Sequence, residues 1–70
     1  MAEIHGFIVV NEITPARVQV VNIDQIVRYV PVGTTTEIFT TDATSMVVSQ
    51  NARAVEGAIR KARSLPDVGA

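Results

Sequence analysis

The chain has 70 residues, a net charge of −1, one histidine and no cysteine, which excludes disulfides and any histidine–cysteine metal site as its means of stabilisation. A domain this small buries only about 60% of the surface its unfolded chain exposes, so either an unusually well packed core or oligomerisation must supply the rest. The near-neutral charge provides no global field towards nucleic acid or membrane, and no window approaches the ~18 consecutive apolar residues of a membrane span.

Residues 4–12 read as the first strand, centred on Phe7-Ile8-Val9-Val10, a continuous apolar run of the kind covered on both faces. Thr14-Pro15 punctuates it, because the proline ring disfavours helix in the preceding residue. The second strand spans residues 17–21, with Val18 and Val20 on one side and Gln19 and Val21 on the other. Asn22 to Gln25 predict a tight turn or one helical turn, since Asn and Asp side chains bond nearby backbone amides.

The third strand, residues 26–32, places Ile26, Arg28 and Val30 on one face and Val27 and Tyr29 on the other. Gly33 supplies the freedom for a hairpin into a fourth strand, residues 35–40, and Asp42-Ala43 is the expected tip before a fifth, residues 44–49. The period then changes. Val55, Ala58, Ile59 and Ala62 recur at helical spacing across residues 52–64, with Asn51 as N-cap and Glu56 and Arg60 spaced for a surface pair. Pro66 is expected to stop the helix, leaving one domain over residues 1–66 and a tail over 67–70. Gly57 lies inside the helix at a cost of about 1 kcal/mol, which close packing would explain.

The expected fold is therefore α+β: a four- or five-stranded antiparallel meander, open or curled into a small barrel, followed by one helix. Strands such as residues 18–33 are apolar on both alternation phases, and one helix covers only one sheet face. Val21, Val27, Phe39 and Val47, with Tyr29, are the residues expected to need a second cover, which makes them the predicted homo-oligomer interface.

The run VVNIDQIVRY, then TEIFTTDATSMVVSQN, then a short helix resembles the small flagellar and swarming-motility protein family, over about residues 18–62. It is also similar to uncharacterised small bacterial and phage chains of the same meander-plus-helix pattern. That family carries Asp-Gly where this chain has Asp42-Ala43, and Glu-Ser where it has Gln50-Asn51. The resemblance implies the fold and a regulatory, non-enzymatic role, and it carries over no functional residues.

A search for catalytic chemistry finds no set that holds together. His5 lacks a partner and a pocket, the serines Ser45, Ser49 and Ser64 have no base nearby, and no phosphate-binding glycine loop is present. The carboxylates Asp24, Glu37 and Asp42 fit turn or surface roles. No catalytic residue, metal or cofactor is expected. Positive charge concentrates on the helix at Arg53, Arg60, Lys61 and Arg63, either as a solvated face matching the helix dipole or as an anion site. The candidate ligand set is Arg17, Arg28, Tyr29, Thr35, Thr36 and Arg60, although the threonines also fit as exposed strand formers.

Three functions follow. The first is a non-enzymatic regulatory or adaptor module acting as a homo-oligomer through protein contacts. The second is an oligomeric, phage-type sequestering protein that holds a small anionic ligand, such as a nucleotide, between protomers. The third is nucleic-acid binding through the basic helix face, which the net charge of −1 disfavours. Met1-Ala2-Glu3 lacks the pattern of a secretory leader, and the expected location is cytoplasmic.

Overall fold

The structure is a computed structural model and describes residues 3–65. The expected helix stop at Pro66 and the tail lie outside the described residues. Within them, strands β1 (Glu3–Ile4), β2 (Phe7–Glu12), β3 (Arg17–Asn22), β4 (Ile26–Val32), β5 (Thr35–Thr40) and β6 (Ser45–Val48) form one antiparallel sheet, followed by helix α1 (Ala52–Ser64). The α+β reading holds, with the sheet open.

The first strand differs from expectation. It is broken at His5-Gly6 into a hairpin that pairs Ile4 with Phe7, because Gly6 takes φ +80°, a left-handed conformation only glycine adopts at no steric cost. β2 then becomes the centre of the sheet. One edge pairs with β3 along its whole length, from Phe7↔Asn22 to Glu12↔Arg17. The other edge is shared by β1 at its start and β6 at its end, where Glu12 pairs with Val48. From β6 the sheet continues through β5 to β4. β3 and β4 are joined by a single 3-10 turn, Ile23–Gln25, capped by the Asn22 side chain, and they do not pair with each other. Among the described residues both are therefore free edges.

The core lies between the inner sheet face and α1. Ile8, Val10, Val21, Ile38 and Val48 come from the sheet, and Val55, Ala58, Ile59 and Ala62 from the helix. The helical spacing read in the sequence thus marks the buried stripe. Asn51 caps the helix as expected, its Oδ1 accepting from the Ala54 amide at 2.8 Å. The small side chains Ala58 and Ala62 let the helix sit low on the sheet, and the Gly6 amide donates to the Ala62 carbonyl at 3.1 Å. His5 Nδ1 lies 2.5 Å from the Leu65 carbonyl oxygen and ties the same hairpin to the helix end.

Val21 was expected at an interface between copies, but it is buried in the core opposite Ile8. The physical reason is the pleat: Val21 shares a face with Gln19, and that is the phase α1 covers. β4 also departs from simple alternation. Its register with β5 shifts between Ile26 and Arg28, so Val27 forms a β-bulge. Ile26 and Tyr29, three positions apart, both turn towards the core, while Arg28 turns outward beside Phe39.

Gly57 does not mark a close approach, since a Cβ built there meets nothing within 4 Å. Ala43, at the expected hairpin tip, takes φ 67°, in the left-handed region that costs a non-glycine residue about 1–2 kcal/mol. Ala43→Gly and Gly57→Ala are each expected to stabilise the protein by about 0.5–1 kcal/mol in urea unfolding, the first by relieving strain and the second through helix propensity. A loss of stability in Ala43→Gly would contradict the left-handed tip.

Candidate functional site

Three of the six candidate ligand residues are brought together. β4 and α1 flank an open groove of about 420 Å³, lined by Arg28, Tyr29, Glu56, Arg60 and Arg63 over an apolar floor that includes Ile26 and Ile59. Glu56, Arg60 and Arg63 fall on one helical stripe, so one face of α1 presents them all to β4. The Val27 bulge sets the other wall by rotating Tyr29 inward and leaving Arg28 at the rim.

Among the described residues the groove has three arginines against one carboxylate, in a chain whose net charge is −1. The Glu56 carboxylate serves two neighbours: Arg60 Nη2 lies 2.9 Å from Oε1, and the Tyr29 hydroxyl donates to Oε2 at 3.4 Å. The expected surface pair between Glu56 and Arg60 is thus present, although Arg60 is largely solvated and Glu56 half-exposed, so the pair contributes little. The Arg28 guanidinium stacks 4.4 Å over the Phe39 ring centroid, which fixes its plane, and its N–H edges have no hydrogen-bond partner among the described residues. Arg63 has no hydrogen-bond or ion-pair partner among the described residues. Burial, followed by the charge of Glu56, pushes the Tyr29 hydroxyl above its usual range, so it stays a neutral donor.

The other candidates lie elsewhere. Arg17 is on the far side, in a second cleft of about 460 Å³ between β3 and the β5–β6 end of the sheet. There its Nε donates to Glu12 Oε1 at 2.8 Å, beside Gln19 Nε2 at 3.0 Å. These bonds, that of Gln19 first, hold the Glu12 carboxyl below the usual carboxylate range. Asp42, on the same cleft, is likewise lowered by the hydroxyls of Thr40 and Thr44 and by the Thr44 amide. In this cleft Glu12 is thus engaged by Arg17 and Gln19, and Asp42 by Thr40 and Thr44.

Thr36 requires correction as a ligand residue. It is fully buried, and its hydroxyl donates to the Gln50 carbonyl at 2.8 Å, anchoring the chain just before α1. It lies on the same inner phase of β5 as Ile38, which strand alternation dictates. The Thr35 hydroxyl donates to the Val32 carbonyl at 2.7 Å, within its own hairpin.

The outer sheet face carries the second feature. Ile4 lies opposite Phe7, Val9 opposite Val20, and Val18 opposite Asn11, all on the face away from the helix. Ile4, Phe7, Val9, Val18 and Val20 thus make one apolar patch at the β3 edge, with Val18 62% and Val20 57% exposed. Of the predicted interface residues, Val27 is exposed on the groove rim, Val47 stands beside Glu37, and Phe39 is half-buried under Arg28. The alternation that puts Val18 and Val20 on one side is legible in the sequence, but their joining with Ile4, Phe7 and Val9 depends on the pairing of β1, β2 and β3. Arg63, read in the sequence only as one of the helix cations that could form an anion site, lies in the groove, and Glu56, read only as half of a surface pair, joins it there because its spacing with Arg60 and Arg63 puts all three on one stripe.

No cluster of three or more His, Cys, Asp or Glu side chains stands together among the described residues. No helix among them is long and apolar enough to cross a membrane. Searches of family models, curated proteins and solved structures found no match to this chain.

Proposed function

We propose that this chain is a non-enzymatic regulatory or adaptor module that works in the cytoplasm as a homo-oligomer, through protein–protein contacts. The observation that carries this reading is the patch of Ile4, Phe7, Val9, Val18 and Val20, left uncovered by a helix that shields only the opposite face. The resemblance to small flagellar and swarming-motility proteins agrees with a regulatory role. Sedimentation velocity over a wide concentration range tests it: the expected species is a multiple of 7.5 kDa, and one copy at every concentration overturns the reading.

The groove favours a second reading, capture of a small anionic molecule. Arginine forks match phosphate oxygens, the Tyr29 hydroxyl adds a donor, and the volume is in the range of small-ligand sites. Thermal unfolding with inorganic phosphate and with adenosine monophosphate tests it. A ligand at a hundredfold excess over its Kd raises stability by about 2.7 kcal/mol, and unchanged unfolding with both probes removes this reading.

A further inference from the structure

We propose that β3 is the seam at which a second copy of this chain adds, antiparallel and edge to edge, so that two open sheets continue as one. The proposal rests on the self-association reading above and specifies its surface.

β1 also has a single neighbour but is only two residues long, and the two longer edges, β3 and β4, differ in how they are defended. β4 carries the Val27 bulge and Pro31, which has no N–H to offer a ladder, and both features discourage strand addition. β3 has no bulge, proline or lysine, and its only charged residue, Arg17, is already held by Glu12 at 2.8 Å. Its outward backbone groups have no partner among the described residues. Of the two edges, β3 is the one left open to pairing.

β3 is also complementary to itself. Val18-Gln19-Val20 reads the same in both directions. A two-fold axis at Gln19 places Val18 opposite Val20 of the second copy, and the reverse, with all four valines on the outer face. Antiparallel pairs share a face only when the register keeps the pleat in phase, so an offset of one would set outer Val18 against inward Val21 and is excluded. No like charges are brought opposite in this register. The apolar patch lies flush with the same edge, so pairing joins two patches across the seam into one face. An isologous, closed two-fold contact of this kind ends at two copies and does not propagate.

The chain has no cysteine of its own, so a single introduced thiol is a clean reporter. Directly opposed residues in an antiparallel pair have Cα atoms about 4.5–5.5 Å apart, within disulfide range. Under mild oxidation Gln19→Cys is expected to form a covalent dimer, whereas Val32→Cys, on the opposite edge, is not. Val20→Lys, at a site exposed in the single copy, is expected to keep the native circular dichroism and shift sedimentation to one copy. If wild type associates but Gln19→Cys fails to cross-link, or Val20→Lys associates unchanged, the seam is wrong and the self-association reading stands. Cross-linking of Val32→Cys as readily as Gln19→Cys also overturns the seam. A wild type that sediments as one copy overturns both.

Discussion

Ile38→Ala is expected to destabilise the protein by about 2–5 kcal/mol, the range for deleting a fully buried branched side chain and leaving a cavity. Ile38 is completely buried on β5, between Tyr29 of β4 and Met46 of β6, in the same cluster as Val55 and Ile59 of α1. Its neighbours are held by ladders on both sides, so the sheet cannot collapse into the space. Globular domains have about 0.05–0.15 kcal/mol of stability per residue, so one such loss removes a large share of what a chain this short possesses. Urea unfolding is the measurement, with a lower midpoint and an unchanged slope as the signature. Val30→Ala, on the outer face of the neighbouring strand, is expected to change stability by less than about 0.5 kcal/mol. A loss below about 1 kcal/mol in Ile38→Ala would mean that the core is not built around β5.

The groove makes the second large prediction, and its sign depends on which charge is removed. Hydrogen bonds to charged groups contribute about 1.5–3 kcal/mol, so Arg28→Ala or Arg63→Ala should weaken the binding of an anionic probe by roughly 10- to 150-fold. Arg28 is poised by its stack on Phe39, and Arg63 has no described partner to compete for it. Glu56→Gln should act in the opposite direction. It removes the one carboxylate the groove has among the described residues and frees Arg60, while the glutamine oxygen can still accept from the Tyr29 hydroxyl, so the same probe should bind more tightly. Calorimetric titration of the three variants with adenosine monophosphate is the check. Equal effects from Arg28→Ala and Glu56→Gln would show that the groove's charges do not hold the ligand. Arg17→Ala serves as the internal control, because Arg17 lies across the molecule with Glu12.

Much of the architecture is legible in single residues. Asn51 before an apolar stripe marks the helix start, Gly33 marks a two-residue hairpin, and Asn22 with Asp24 marks the turn between β3 and β4. Each depends on a residue bonding or bending its own neighbourhood, and the structure carries them all. The candidate site is less legible. Arg28 and Arg60 are far apart in the chain, and only the docking of α1 against β4 makes them neighbours. Thr36 looks like any other threonine in a polar run until the sheet turns it under the helix.

Local chemistry alone, then, determined the turns from Asn22 onward, where the chain extends between them and which helical stripe it buries, because caps, left-handed glycines and residue periods act over a few positions. Tertiary structure decided which face of each strand is inside. The Gly6 hairpin splits the first strand, the Val27 bulge reverses the phase of β4, and the helix covers the phase that contains Val21. Strand periodicity is two, so one extra residue or one broken strand exchanges core for surface, and no count of apolar residues along the chain can register that exchange.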